Sequence, residues 1–259
     1  CFSSEKSYAD ALVMNEVPEV VLTLMTKNEK DHVVIHHCVH IVGNLLHSVS
    51  IPVTLLGDMI AVATRVVKSG SCEDALLIDV LAMFKNAATN ATDYSALLSS
   101  QSVVSTIVGL MGAYMKNTSV LAAAIDALIA NTVALNSHIQ LATKEGMSTL
   151  QTVLKTYKKS DLRLYAGAMK VLNNLATNPS MTYNLVCDSV VHHVLEALVV
   201  LHDEEKYLVV ALSLVSRLLS LDEEKKYKSQ LLSDEVLDTC LFTVKNYTSG
   251  SIIHFACVL

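Results

Sequence analysis

The chain has 259 residues, of which 52% are hydrophobic and 17% are charged, and its formal net charge is −6. An acidic balance without long runs of one sign excludes the basic surface expected of a nucleic-acid-binding protein. The longest uncharged stretch, Tyr94–Met115, is long enough to span a bilayer, but the serines clustered inside it favour a turn between two buried helices.

Five positions recur at nearly constant spacing in similar apolar surroundings, with intervals of 42, 45, 43 and 43 residues. We call them the ladder residues: Asn44, Asn86, Asn131, Asn174 and Arg217. A helical period near 43 is typical of an α-solenoid, in which each unit buries its apolar face by stacking on its neighbours. The period predicts one all-α domain over residues 1–259, and about six repeats with the last incomplete. The predicted repeats are 1–48, 49–90, 91–136, 137–178, 179–221 and 222–259.

Each repeat is predicted to contain a short, a medium and a long helix. In the fourth repeat these are His138–Lys144, Met147–Tyr157 and a third helix from the cap Asp161 to Ala176, with a break at Glu145-Gly146. Gly57-Asp58 is predicted to make the same break in the second repeat. Three asparagines that follow third helices are expected to take left-handed cap conformations. They are Asn90, Asn136 and Asn178.

The third helix of the first repeat, predicted over His32–His47, has two distinct faces. Its apolar positions recur at i, i+3, i+4 and i+7 and are predicted to form the core. They are Ile35, Cys38, Val39, Val42, Leu45 and Leu46. The opposite, polar face is predicted to meet solvent or a partner. It carries His37, His40, Asn44 and His47, and the matching positions later in the chain are Asp79, Met83, Asn86, Lys170, Asn174, Ser213 and Arg217.

Histidines are concentrated in the run from His36 to His40. His36 and His40 have the i, i+4 spacing of a bidentate metal site, but no carboxylate or second cysteine is placed by sequence to complete the ligand shell. A pH-sensitive patch and plain solvated histidines are alternative interpretations. We expect no metal site and no cofactor. Without a phosphate loop or a nucleophile motif, in a chain filled by repeats, we also expect no enzymatic activity.

Units of 42–45 residues with an Asn near the end of the third helix resemble the armadillo repeat, most clearly in the stretches Val80–Asn90 and Gly167–Asn178. The resemblance implies a right-handed superhelix whose third helices line a concave groove. The ladder residues, with His37, His40, His47 and Lys170, would contact a partner protein in that groove. The chain lacks Trp, which the nuclear-import members of this family place four residues before the Asn, so a clamp for basic import signals is not expected.

A chain made only of such repeats is similar to the small armadillo-repeats-only proteins of apicomplexan parasites. That resemblance implies a scaffold on the cytosolic face of the rhoptry, held by an acylated N-terminus and recruiting a myosin motor and signalling proteins. The anchor would precede Cys1, and membrane contact is expected only through it. An armadillo chaperone or transport adaptor that binds extended peptides is the alternative.

The last repeat ends in the apolar segment 251–259, which is predicted to begin a third helix. Terminal repeats normally present a polar outer face. The apolar character of this one predicts weak self-association through the C-terminal repeat.

Overall fold

The computed structural model describes residues 6–70, 72–90, 94–247, 250, 253 and 256–257. In this part of the chain all regular secondary structure is helical. Contacts divide the chain into two compact units, Cys1–Leu141 and Ala142–Leu259. The predicted helix start in 251–259 falls largely on residues outside those described.

The first unit contains nine described α-helices, and its most extensive pairings join helices that are not consecutive in the chain. They are α1 (Lys6–Met14), α2 (Val17–Lys27), α3 (His32–Ser48), α4 (Val53–Lys68), α5 (Asp74–Asn90), α6 (Tyr94–Ser100), α7 (Val103–Ala113), α8 (Thr118–Asn131) and α9 (His138–Leu141). The second unit contains seven. They are α10 (Lys144–Tyr157), α11 (Leu162–Leu175), α12 (Thr182–Leu185), α13 (Asp188–Val200), α14 (Glu205–Leu221), α15 (Lys228–Leu231) and α16 (Asp234–Asn246).

We call the helices that carry the ladder residues the ladder helices; they are α3, α5, α8, α11 and α14. Side-chain caps determine where three of them begin. Asp31 accepts hydrogen bonds from the backbone N–H groups at the start of α3, and Asn117 and Asp161 do the same for α8 and α11. These caps satisfy donors that a helix start leaves without a partner inside the helix.

The core of the first unit forms where its ladder helices meet. Helix α5 packs against α3 on one side and against α8 on the other. The six residues of the predicted apolar stripe on α3 are all at most 3% exposed, which confirms that prediction. Gly43 faces the backbone of Met83 on α5, and a Cβ atom there would lie 3.9 Å from it, in ordinary van der Waals contact.

Two predicted helix breaks are wrong, for different reasons. Helix α4 runs through Gly57-Asp58, where the glycine makes room for α6: an added Cβ would lie 3.0 Å from Cδ1 of Leu97. Helix α10 includes Glu145-Gly146 in its first turn, because Thr143 caps it by accepting a 3.1 Å hydrogen bond from the N–H of Gly146. Gly57 therefore marks a close contact between helices, and Gly146 lies in a capped first turn; neither glycine ends a helix.

The expected left-handed caps at Asn90, Asn136 and Asn178 are also wrong. None of the three has a positive φ angle. Asn90 instead donates from its side chain to the carbonyl groups of Leu46 and Val49, the latter at 2.7 Å. Because both acceptors lie at the end of α3, Asn90 links α5 to the ladder helix before it.

Hydrogen bonds between distant residues follow the period found in the sequence. In the first unit, the hydroxyl of Tyr94 bonds both backbone groups of Ile51, 43 residues earlier. In the second unit, Asn184 donates to the carbonyl of Ala142, 42 residues earlier, at 2.7 Å. The all-helical, repeat-like architecture is therefore confirmed, while the number of repeats and the handedness of their winding stay predictions.

The uncharged stretch from Tyr94 to Met115 forms two helices, α6 and α7, that meet at an angle of 58°. Within the described ranges, no single helix has both the length and the apolar composition needed to cross a membrane. Two bent pairs, α6 with α7 and Pro179–Leu185 with Ser189–Val200, satisfy that test by length and composition alone.

Candidate functional site

Asn86 and Arg217 form hydrogen bonds between neighbouring ladder helices. Nδ2 of Asn86 donates to the carbonyl oxygen of Gly43 at 2.9 Å, and Nη1 of Arg217 donates to the carbonyl oxygen of Asn173 at 2.8 Å. In both cases the acceptor is the residue just before the preceding ladder residue. These two side chains therefore hold consecutive ladder helices in register, a role that the sequence analysis did not predict.

Asn131 does not belong to an exposed groove, which corrects its predicted role. Its side chain is 1% exposed, and Nδ2 donates to the carbonyl oxygen of Ala127 at 2.8 Å and to that of Phe84 at 3.4 Å. Ala124 and Ala127 are both fully buried, so small residues bring α8 close to α5 and enclose the amide. A partner protein cannot reach Asn131 in this arrangement.

Asn44 occupies the first position of the ladder and is half-buried. Its Nδ2 atom is inaccessible to solvent and has no hydrogen-bond partner in the described structure. Asn86 takes its acceptor from the preceding ladder helix, and α3 is the first such helix described. Unlike Asn86, Asn44 therefore forms no hydrogen bond from Nδ2 to a neighbouring ladder helix in the described structure.

The remaining predicted contact residues are accessible to different degrees. His37, His40, His47 and Lys170 are exposed, while Asn174 and Arg217 are half-buried. Two matching positions named from the polar stripe are wrong, because Met83 is fully buried and Ser213 is 5% exposed. Ser213 donates to Oδ1 of Asn173 at 3.3 Å.

A cluster of histidines and one carboxylate joins α3 to α5. Nε2 of His36 and Nδ1 of His40 each lie 3.0 Å from Oδ2 of Asp79. The rings of His36 and His37 are stacked, with centroids 5.8 Å apart. The sequence analysis did not pair Asp79 with these histidines, although it lies 39 residues after His40, close to one repeat. Among the residues described, no three His, Cys, Asp or Glu side chains are arranged to hold a metal ion.

Three titratable groups with shifted pKa values lie close together in the second unit: Tyr165, His193 and Glu196. Burial raises the pKa of Tyr165 strongly, and burial lowers the pKa of His193. Burial alone would raise the pKa of Glu196, but Lys158 and the neighbouring histidines hold it below its usual range. Lys158 forms an ion pair with Glu196, and the hydroxyl of Tyr165 donates to the carbonyl of His193 at 3.3 Å.

A cavity of about 740 Å³ lies elsewhere in the second unit. It is lined by the turns before α12, α13 and α15, including Tyr183, Cys187 and Asp222. None of the four groups around Tyr165 lines this cavity. The shifted pKa values of Tyr165 and His193 arise first from burial between the helices of the second unit.

Comparison with known proteins supports the fold alone. No protein-family model matches the chain, and no curated protein matches it. Two crystal structures of engineered proteins from the Northeast Structural Genomics Consortium are similar to it. The first has a TM-score of 0.79 and 15% identity over 98% of this chain, which spans 59% of that structure's length. The second has a TM-score of 0.72 and 14% identity over 93% of this chain and 94% of that structure.

Proposed function

We propose that this chain is a non-enzymatic scaffold that binds partner proteins over the exposed sides of its ladder helices. The observation that carries the proposal is the direct packing of ladder helix on ladder helix within each unit: α5 lies against both α3 and α8, and α11 lies against α14. Helices packed side by side leave a broad outer surface. Such a surface suits an extended or helical segment of another protein.

The two units offer this surface with different chemistry. In the first unit the exposed side chains of the ladder helices include His37, His47 and Lys85. In the second unit Lys170 is exposed beside the half-buried Asn174 and Arg217. Since Asn86 and Arg217 already bond the chain's own backbone, exposed histidines and lysines would contribute more to partner recognition than the ladder amides.

The resemblance to armadillo-repeats-only proteins supports a narrower form of the proposal. The scaffold would sit on the cytosolic face of an organelle, the rhoptry, held by a lipid anchor. Its partners there would be a myosin motor and signalling proteins. This narrower form depends on the sequence resemblance alone, whereas the binding surface stands on the geometry of the two units.

Site-specific photo-crosslinking tests the surface. A photoreactive residue is placed at Lys85 or Lys170 on the ladder helices, and in matched controls at Lys27 or Lys155, which are exposed lysines on α2 and α10. Crosslinked proteins from the native cell are then identified by mass spectrometry. The same partner captured at both ladder positions, and at neither control, is expected.

The affinity of the identified partner is then measured for four charge-reversal variants of the chain. Lys85→Glu and Lys170→Glu are each expected to weaken binding by about threefold to tenfold, as for one exposed charge at an interface. Lys27→Glu and Lys155→Glu should leave it unchanged. A partner that crosslinks only at the control positions would place the binding surface on the other helices and refute the proposal.

A further inference from the structure

A groove between α13 and α16 in the second unit is separate from the ladder helices. It encloses about 290 Å³, and its lining residues are Leu198, Val199, His202, Asp238, Thr239 and Phe242. Val199 is 64% exposed and Phe242 is 37% exposed. Both side chains thus present apolar surface to the groove that the fold itself leaves uncovered.

Helix α16 has apolar residues on two of its sides. One side is buried and carries Val236, Cys240 and Thr243. The next side carries Leu237, Leu241 and Val244, which are 41%, 57% and 43% exposed. The groove residues Asp238, Thr239 and Phe242 lie on the other flank of α16, beyond its buried side, so this exposed apolar side is a surface separate from the groove.

Aromatic contacts hold one end of the groove in place. The ring of Phe242 lies 5.8 Å from that of His202 and 6.1 Å from that of Tyr247, measured between centroids. The hydroxyl of Tyr247 donates to the carbonyl of His202 at 2.6 Å. These contacts join α16 to the turn after α13 and leave the apolar lining preformed, which reduces the ordering cost of binding.

Acidic side chains surround the apolar surface. Burial and then the nearby carboxylates of Asp203, Glu205 and Glu204 raise the pKa of Tyr247, so the acidic turn acts directly on this end of the groove. Asp238 lines the groove itself, and Nε2 of His202 pairs with Asp203 at 3.0 Å. Two lysines lie on the same elements: Lys245 on α16, and Lys206, which sits over the ring of Tyr207.

We propose that this groove binds an amphipathic helix of a partner protein, with apolar side chains at i, i+3 or i+4, and i+7, and with Lys or Arg on its flanks. The apolar side chains would cover Val199 and Phe242. The basic flanks would meet Asp203, Glu204 and Asp238. Helices of this pattern commonly dock in apolar grooves, and charge complementarity selects among them.

Two designed helical peptides of about 18 residues, or five turns, serve as probes. Both place Leu at i, i+3, i+4 and i+7, and one carries Lys at the flanking positions while the other carries Glu. Binding to the full chain is measured by fluorescence anisotropy at low salt. The Lys peptide is expected to bind about tenfold tighter than the Glu peptide, equivalent to a few exposed charge pairs.

Matched variants distinguish the groove from general attraction to an acidic chain. Glu204→Lys with Asp238→Lys changes the rim, and Glu223→Lys with Glu224→Lys makes the same change in net charge on a turn away from the lining. The first pair should abolish the preference for the Lys peptide, and the second should preserve it. Val199→Ser should weaken binding of both peptides, whereas Tyr183→Ser, at a side chain that is 93% exposed, should not.

Three results would overturn the inference. The first is equal loss of affinity in both charge pairs, which indicates nonspecific attraction. The second is unchanged binding in Val199→Ser. The third is a dimer, measured by light scattering, that Val199→Ser converts to a monomer, since the groove would then be covered by a second copy of the chain. Each result concerns α13 and α16, so none bears on the ladder-helix surface.

Discussion

The side-chain amide of Asn86 and the carbonyl oxygen of Gly43 lie 2.9 Å apart, joining two ladder helices across 43 residues of sequence. The repeat period thus appears in the structure as a hydrogen bond. Arg217 repeats the relationship with Asn173 in the second unit. Asn86 and Arg217 were expected to contact a partner, but their side chains hold neighbouring ladder helices in register.

Replacing Asn86 with Ala should therefore destabilise the fold. The variant loses a hydrogen bond and leaves the Gly43 carbonyl without this partner, at a cost of about 1–2 kcal/mol in the free energy of unfolding. Urea denaturation followed by circular dichroism measures the change. A matched control is Asn246→Ala, because Nδ2 of the exposed Asn246 donates to the carbonyl of Phe242 in its own helix.

The control should change the free energy of unfolding by less than about 0.5 kcal/mol, as is usual for exposed sites. Equal stability of Asn86→Ala and the unmodified chain would show that the bond to Gly43 contributes nothing. The amide of Asn86 would then be available to a partner, as first predicted.

Periodicity predicted the fold well because one physical requirement, burial of an apolar stripe on stacked helices, recurs in every repeat. The bounds expected for α3 differ from the observed ones by one residue at the C-terminal end, and the expected α11 differs by one residue at each end. The cap at Asp161 and the core position of Cys38 follow from the same local rules. Contacts between helices are not local, and there the predictions failed.

Asn131 and Asp79 illustrate why the site was harder to predict. Both positions follow from the period, but their accessibility depends on how closely the next helix approaches. The small side chains of Ala124 and Ala127 let α8 pack closely and bury Asn131. The carboxylate of Asp79 lies within ion-pair distance of His36 and His40. The groove between α13 and α16 gave no sequence signal, because the exposure of Val199 and Phe242 depends on how the two helices pack.

A second prediction concerns Tyr94, whose hydroxyl bonds both backbone groups of Ile51 although the residue is 2% exposed. Tyr94→Phe should lower the free energy of unfolding by about 2–3 kcal/mol, because a buried N–H and a buried C=O both lose their partner. Tyr165→Phe removes a single bond of 3.3 Å and should cost about 1 kcal/mol or less. Similar losses in the two variants, measured by urea denaturation, would contradict this reading of the Tyr94 contacts.

Gly109 offers a stabilising substitution. It lies inside α7 with no atom within 4 Å of an added Cβ, so alanine fits without strain. Gly109→Ala should raise the free energy of unfolding by about 0.5–1 kcal/mol, since alanine favours the helix. At Gly57 the same change meets Leu97 at 3.0 Å, and the gain should be smaller or absent. Thermal denaturation measures both changes. A larger gain in stability at Gly57 than at Gly109 would show that the close packing of α4 on α6 does not oppose an added methyl group.

The stability of the fold should depend on pH through the titration of His193. This residue is 4% exposed, and burial lowers its pKa below the ordinary 6.5 even though Oε2 of Glu196 lies 3.6 Å from Nδ1. Below pH 6.5 the unfolded chain therefore binds a proton at this site more readily than the folded chain does. Its contribution to stability is complete above pH 6.5 and is lost as the pH falls toward the folded pKa.

The urea midpoint should fall between about pH 7.5 and pH 5.5, and His193→Gln should reduce that fall because it removes the unequal proton uptake. His192→Gln is the matched control, since the neighbouring side chain is 70% exposed. The control should retain the pH dependence of the unmodified chain. If His193→Gln also retains it in full, the buried imidazole is not its source.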